Sequence, residues 1–427
     1  MNPSEIAVEP IEAPGDLDAF FRLLAATFVD GVPAEPAAAD WRRYVREAEP
    51  YYRGYARGVM REGVCIAGYL MEDRVMRIGA ARLRAVCVVA VVTDAAYRHQ
   101  GIGTAMMRDA ASWAADRCYA LLFLHGRPNF YEQFGYADVF DATHQAIDRA
   151  DLLALPPSPY RVRAATLDDA ADLLALYLRH HAAYAGSFER TLEQQAFHLR
   201  FAHSLQPSLY PMHEGIPYTV PLVALDTSGR PRGYLYTPWG HKRALGWEAA
   251  ADDWPATLAL AQHHARMLEG VPGAAPSIVW LLPPDSAAFY HLADHLPVCS
   301  SRTAHPYAGW MASLGDSAAF ISALLPLWRE RWRARIPPWT GRCGLSIGGR
   351  TWVLELTNGS VDLVDGPVVP ANTMVLSPRI LLQVTVGFRS FAWALAQLEQ
   401  QVPPDLAAAL GVLFEPIQPW IAPSDGA

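Results

Sequence analysis

The sequence predicts two consecutive α/β domains of one kind, followed by a smaller α+β domain. Three observations carry this. VEPIEAPGDLDAFFRLLAATF near the start and YRVRAATLDDAADLLALYLRHH later share one plan: a short strand, a small polar turn, then an amphipathic helix, with Asp18-Ala19 answering Asp169-Ala170. Phe130-Tyr131 after the apolar run LLFLHG is echoed by Phe289-Tyr290 after IVWLLPP, so both echoes recur at roughly 150 to 160 residues. From about residue 306 the plan changes to one helix, short alternating strands and further helices. Coincidence remains the alternative for two echoes this diverged.

The chain has 427 residues, too many for one ordinary core, so two to four domains are expected. Its 52% hydrophobic content calls for packed globular structure. A net charge of −8, without any Lys/Arg-rich run, gives no support for a nucleic-acid partner and suits cationic substrates weakly. The five cysteines, Cys65, Cys87, Cys118, Cys299 and Cys343, are scattered and form no C-x-x-C pair. Disulfides and a zinc site are therefore not expected, and a reducing cytoplasm is. The N-terminal MNPSEIAVEPIEAPGD carries acids where a secretion signal needs a basic and then an apolar stretch. No apolar run reaches the ~18 residues of a membrane helix. A soluble cytoplasmic protein, away from membranes, is the expectation.

A Pro-rich seam, Leu155-Pro156-Pro157-Ser158-Pro159, reads as a linker. The expected domains are 1–150, 151–305 and 306–427. In the third, Phe320, Ile321, Leu324, Leu325 and Trp328 recur at helical spacing. LSIGGRTWVLELTNGSVDLVD reads as hairpins, with Gly348-Gly349 and Asn358-Gly359 as type I′ turns, since both central positions need positive φ. SPRILLQVTVGF and SFAWALAQLEQQV return to helix.

The chemistry is concentrated in VVTDAAYRHQGIGTAMMRDA. AVCVVAVV before it is a nearly continuous apolar run, as in a strand buried on both faces. Arg98, His99, Gln100, Gly101, Ile102, Gly103 and Thr104 then turn into a helix whose Ile102, Met106, Ala110 and Trp113 form one stripe. A helix entry exposes N–H groups and partial positive charge, which suits a pyrophosphate. Glycines let phosphate oxygens approach the backbone, and Arg98 can add a charge-assisted contact. On spacing alone, a glycine-rich helix entry without a ligand is the alternative. The stretch is neither a Walker loop nor a full dinucleotide fingerprint. A second buried strand, expected over Tyr119 to Leu124, and then NFYEQFGY follow it.

V-V-T-D-x-x-Y-R-x-x-G-I-G followed by F-Y-x-x-F-G-Y resembles the GCN5-related N-acetyltransferases (GNAT). The whole-chain plan is similar to the enhanced intracellular survival (Eis) branch: tandem GNAT-fold domains, each a mixed central sheet flanked by helices, and a C-terminal sterol-carrier-protein-like α+β domain. SPRILLQVTVGFRS resembles that carrier-like domain. The motifs are sharp between about Val86 and Tyr136. The resemblance implies an N-acetyltransferase that moves acetyl from acetyl-CoA directly to a primary amine. The acceptor would be an aminoglycoside- or polyamine-like small molecule, or a lysine. It implies acetyl-CoA as co-substrate, no metal, and a homo-oligomer of hexameric type. Val91, Val92 and Thr93 correspond to backbone that holds the pantetheine and the acetyl carbonyl. Arg98 through Thr104 correspond to the pyrophosphate loop, and Gly126-Arg127 to the stretch beside the cofactor. Tyr131 matches the tyrosine that protonates the leaving thiolate. A phenol of pKa ~10 is protonated at neutral pH and close to a thiol in acidity. Its other reading is a half-buried aromatic among Phe130, Phe134 and Tyr136.

In the Eis branch the terminal carboxylate serves as base, which here is that of Ala427, at the end of PWIAPSDGA. The aromatic terminus of the branch is missing; Asp425 is a neighbouring substitute and a frayed end the alternative. The second domain lacks R-x-x-G-x-G and offers only Gly240 and Lys242, so no cofactor is expected there. Trp41, Glu47 and Glu49 could attract an amine, or form a solvated helix face. His291 and His295 stand four apart without a third ligand, so exposed helix positions are favoured over a metal pair. His180-His181 and His263-His264 are expected at the surface. Two other functions compete: a carrier of lipid or another hydrophobic ligand using the C-terminal domain, and a non-catalytic acyl-CoA-binding regulator.

Overall fold

The computed structural model describes residues 6–28, 54–127, 129–204, 219–238, 244–304, 309–335, 339–364 and 372–422, with a few positions between 35 and 46. Trp41, Glu47, Glu49, Gly240, Lys242, Asp425 and Ala427 lie outside the described residues.

The first segment runs β1 (Glu9–Pro10), α1 (Pro14–Phe28), β2 (Gly54–Arg61), β3 (Val64–Ile78), β4 (Ala81–Thr93), α2 (Ile102–Asp116), β5 (Leu121–Gly126), β6 (Ala137–Asp138) and β7 (Ala142–Asp148). The second runs α3 (Arg149–Ala154), β8 (Arg161–Ala164), α4 (Ala170–His181), α5 (Leu192–Ser204), β9 (Thr219–Leu225), β10 (Pro231–Pro238), β11 (Leu245–Gly246), β12 (Glu248–Ala251), α6 (Trp254–Arg266), β13 (Ser277–Trp280), α7 (Ala287–Ala293) and β14 (Val298–Thr303). The third contains β15 (Gly309–Leu314), α8 (Ser317–Arg335), β16 (Gly341–Ile347), β17 (Arg350–Leu356), β18 (Val361–Leu363), β19 (Thr373–Leu376), α9 (Pro378–Thr385), α10 (Phe391–Ala396) and α11 (Pro404–Leu413). A strand, helix, antiparallel strands, helix, strand order thus occurs twice.

The first sheet has the order β1-β2-β3-β4-β5-β15-β6. All its pairs are antiparallel except β4 with β5. Two strands cross the expected seams. β15 enters the first sheet between β5 and β6, and β7 leaves that segment to pair with β13 and β14. Such long-range pairing is fixed by hydrogen bonds between strands far apart in sequence, which no local pattern signals.

Two cores cover the faces of the first sheet. On one, the α2 stripe Ile102, Met106, Ala110 and Trp113 packs with Val86, Val88, Leu122 and Leu124. On the other, Phe20 and Leu24 of α1, Cys87, Val89, Phe123, Phe188 and α8 residues Phe320, Leu324 and Trp328 share one cluster, which continues into the third segment through Leu345 and Leu354. Each fully buried large apolar side chain here stabilises by ~1.5–3 kcal/mol.

The loop after α4 clips onto the first sheet: Arg77 N–H donates to Ser187 O at 2.8 Å, Gly186 N–H to Arg77 O at 2.9 Å and Glu189 N–H to Val75 O at 2.9 Å. The C-terminal stretch grips the same loop, with Ala185 N–H donating to Gln418 O at 3.1 Å and Trp420 N–H to Ala185 O at 2.9 Å.

Four local expectations need correction. The second strand spans Leu121–Gly126, two residues beyond the expected start, because Tyr119 N–H still closes on Ala114 O at 3.0 Å in the turn out of α2. Gly348 and Gly349 both have positive φ, +58° and +84°, but Asn358 and Gly359 do not, so their turn is not of type I′. Thr357 N–H closes that turn on Ser360 O at 3.0 Å. His181 and His264 are buried, because α4 and α6 are covered on more than one side. His264 accepts from Trp280 Nε1 at 3.0 Å, while His181 stacks on Trp420 with ring centroids 4.6 Å apart. His291 is half-buried, with Nδ1 2.9 Å from Thr257 Oγ1, and His295 lies beyond α7, stacked on Trp254 at 4.0 Å.

Candidate active site

β4 and β5 pair at Ala85–Leu121, Val86–Leu122 and Cys87–Phe123, and no further. Beyond that point β4 keeps β3 as its neighbour and β5 keeps β15, through Val92–Gly68 and Gly126–Gly309. The parallel strands therefore splay into a wedge. A bulge sharpens it: β4 spends three steps from Val89 to Val92 while β3 spends two from Leu70 to Gly68. The extra residue lies at Ala90–Val91, where Ala90 holds φ +54°. A bulge re-aims backbone groups beside a site. On the wedge side, β4 backbone from Val88 to Thr93 has no strand partner among the described residues, so its N–H and C=O groups can pair with an extended ligand as with a missing strand.

At the wide end of the wedge, the chain leaves Thr93 and enters α2. Asp94 Oδ1 accepts from Ala96 N–H at 2.8 Å and starts a short 3₁₀ turn, Ala95–Tyr97. Arg98 Nε donates to Thr93 O at 3.2 Å, and Gln100 Nε2 to Ala96 O at 3.2 Å. These bonds tie the loop to the end of β4. Gly101 is the N-cap of α2, with φ +84° and no side-chain cap. The first-turn amides of Ile102, Gly103 and Thr104 have no intrahelical acceptor, as at every helix start. Nothing but Phe130 Cζ, at 3.7 Å, stands near the place of a Cβ on Gly103. Arg98 and His99 are exposed. The result is a glycine-lined, cationic helix entry suited to a diphosphate.

α6, the matching helix of the second segment, starts differently. Its N-cap Asp253 accepts from Ala256 N–H at 2.9 Å and pairs with Arg232 at 3.1 Å. A carboxylate of the chain itself occupies the place an anion would take there.

α2 is anchored from within the sheet. Asp109 receives Arg57 Nε at 2.6 Å, Arg57 Nη2 at 2.8 Å and the Tyr69 hydroxyl at 2.5 Å. The Asp109 hydrogen bond holds the Arg57 guanidinium above its ordinary value, and burial raises the Tyr69 phenol. This triad joins β2, β3 and α2 behind the glycine loop. Sequence pattern gave no sign of it.

Tyr131 sits at the other wall. Its Cδ2 is 2.7 Å from where a Gly126 Cβ would stand, so the ring lies over Gly126. Phe130 meets it edge-on at 4.8 Å and Tyr136 at 5.9 Å. Tyr131 packs with the α2-side core. Burial raises its phenol, with the Arg127 guanidinium pulling weakly the other way, so it remains a neutral donor at physiological pH. At the apex, burial pushes the Cys87 thiol far up; a neutral thiol there is no nucleophile.

The sequence-selected residues thus surround one wedge: Val91, Val92 and Thr93 on β4, Arg98 to Thr104 at the helix entry, Gly126 and Arg127 at the end of β5, and Tyr131 over it. His125, one residue before Gly126, was not among them; it is exposed and faces Trp310 at 5.0 Å. The signal lay in LLFLHG, where His125 is the one polar side chain of an apolar strand. Among the described residues, no cluster of His, Cys, Asp and Glu could hold a metal, and no helix is long and apolar enough to cross a membrane.

Residues 10–139 match the family model of the acetyltransferase (GNAT) domain. Solved structures share the fold over nearly the whole chain. A probable N-acyltransferase of Enterococcus faecalis V583 is 15% identical over 97% of this chain and 98% of its own, with a TM-score of 0.71. A GCN5-related N-acetyltransferase from Kribbella flavida is 20% identical over 100% of both, at 0.68. Eis1 from Mycobacterium abscessus is 16% identical over 99% of this chain and 100% of its own, at 0.62. No curated protein matches the chain.

Proposed function

We propose that the protein is an acetyl-CoA-dependent N-acetyltransferase acting on a primary amine. The observation that carries this reading is the wedge between β4 and β5 opening beside an uncapped glycine helix entry. The match of residues 10–139 to a GNAT acetyltransferase domain supports it. The diphosphate of coenzyme A binds the amides of the helix entry with Arg98, and the pantetheine arm runs along Val91 to Thr93. The amine attacks the thioester carbon directly, and Tyr131 protonates the departing thiolate. Transfer without a covalent intermediate agrees with the inert Cys87. Terminating the chain before Ser424 tests the Ala427 carboxylate as base.

Residues 1–150 are proposed as the catalytic domain, 151–305 as a GNAT-like domain whose helix entry is closed by Asp253, and 306–427 as a sterol-carrier-like domain built on the sheet β18-β17-β16-β19. The five cysteines are all free, which supports a cytoplasmic location. A net charge of −8 favours cationic acceptors of polyamine or aminoglycoside type. Self-association into a homo-oligomer, of hexameric type, is testable by sedimentation.

The test is thiol release from acetyl-CoA with spermidine, kanamycin and a blocked lysine amide. Turnover that falls at least 100-fold in Tyr131→Phe supports the reading. Tight binding of acetyl-CoA without turnover would mark a regulator instead.

A further inference from the structure

The wedge has two faces, and its polar groups divide between them. Leu124 and Gly126 point to the α2 face, where Tyr131 lies over Gly126. Phe123 and His125 alternate to the opposite face. Ring contacts fix that orientation: Trp310, the cross-strand partner of His125, stands 5.9 Å from Phe123 and 5.0 Å from His125. Phe123 belongs to the apex pair with Cys87, so His125 is two residues farther out, at the open part of the wedge. Its side chain is exposed on the side of α1 and the 184–190 loop, away from the nucleotide entry.

We propose that His125 is a catalytic residue, the proton acceptor for the attacking amine. This rests on the acetyltransferase reading above. An acyl donor held along β4 presents its thioester in the gap, with the α2 face given to coenzyme A. The amine must then approach from the opposite face, where His125 stands. The amine nitrogen bonds to the thioester carbonyl carbon as its proton passes to the imidazole. The C–S bond breaks, and the thiolate takes the phenolic proton of Tyr131. The imidazolium releases its proton to water, and Tyr131 regains one from water. Acid and base thus stand on opposite faces of the last two residues of β5.

Among the described residues, α1 carries Asp16 and Asp18 on this side, the 184–190 loop Glu189 and the ion-paired Arg190, and His198 lies near Arg74. Cys87 on β4 is neutral through burial. On β3, Glu72 and Arg74 share the face and neutralise each other at 2.6 Å. Arg127 follows on the chain, and β15 contributes no titratable side chain. Imidazole is the side chain whose chemistry most often serves general-base work at neutral pH.

The experiment measures thiol release from acetyl-CoA, across pH 5.5 to 10, with whichever of spermidine, kanamycin and blocked lysine amide is turned over. His125→Gln is expected to lower kcat by about 100-fold or more at pH 7 and to leave the KM for acetyl-CoA and the melting temperature unchanged. The rising limb of its pH profile should move up toward the pKa of the amine itself. A chain ending at Pro423 should keep the native limb. The proposal is overturned if His125→Gln stays within twofold with the same limb, or if the limb is lost in the shortened chain instead. If the native protein acetylates none of the amines, the acetyltransferase reading fails, and this inference with it.

Discussion

Cys87 and Phe123 are the last residues that β4 and β5 share. The wedge of the candidate site follows from their parting. Before them the two strands form an ordinary parallel pair; after them each keeps only its other neighbour, and an edge of β4 without a strand partner among the described residues faces the gap. Buried under that gap, Cys87 has its thiol raised far above the ordinary range.

Thiol labelling follows from this directly. Cys65, Cys87 and Cys343 are buried, and burial pushes the Cys65 and Cys343 thiols up to about 12. Only Cys118 and Cys299 are exposed. A chromogenic disulfide reagent should titrate two thiols quickly in the native protein and five in denaturant. Fast reaction of a third native thiol would contradict the packing at the apex.

The two loop glycines should separate binding from folding. Gly101 holds φ +84°, so a valine there adds backbone strain of ~1–2 kcal/mol as well as bulk. Gly103 has φ outside the left-handed region, and its nearest neighbour stands 3.7 Å from a built Cβ, so Gly103→Ala fits the apo fold. We expect Gly103→Ala to melt within a degree or two of the native protein but to weaken acetyl-CoA binding at least tenfold. Unchanged affinity would place the diphosphate elsewhere.

Glu248 and Arg190 form a fully buried ion pair at 2.8 Å, with the Tyr234 hydroxyl donating to Glu248. Removing one charge leaves the other without its counter-ion in an apolar setting. Glu248→Gln should therefore cost about 3–5 kcal/mol, read as a lower urea midpoint with an unchanged slope. A loss below about 1 kcal/mol would show that water reaches the pair.

Acid should destabilise the fold before its carboxylates titrate. Burial lowers both His181 and His198 to about 3 from an ordinary 6.5. Arg190, Glu248 and, for His198, Arg74 add smaller effects. The unfolded chain binds more protons than the folded one between those values. Stability is thus complete above about pH 6.5 and falls as pH drops toward 3, by up to ~1.4 kcal/mol per pH unit for each site. The His181 ring nitrogens meet no hydrogen-bond geometry, although the Ala249 backbone lies beside them. His181→Phe should cost little at pH 8 and flatten the decline between pH 6.5 and 4, as measured by thermal melts. A slope unaltered by the substitution would contradict a neutral buried imidazole.

Much of the first segment was legible in its residues. AVCVVAVV announces a strand buried on both faces, and Ile102, Met106, Ala110 and Trp113 give the helix stripe that covers it. The glycine entry follows from backbone chemistry. The exchange of β7 and β15 was not legible, because strand partners are chosen across the whole chain. His181 and His264 read as surface residues because adjacency in a helix says nothing of how many sides the helix buries. Asn358-Gly359 carries the residues of a type I′ turn without adopting one, since Thr357 and Ser360 close it otherwise. The place of His125 at the open end of the wedge is not legible in sequence, because it depends on where β4 stops following β5.

The most direct test is calorimetric titration of the purified chain with acetyl-CoA, alongside a Gly101→Val/Gly103→Val variant. The account predicts one saturable site per chain for the native protein and at least 100-fold weaker binding for the variant. Absence of binding heat in the native protein, or equal affinity in both, would contradict it.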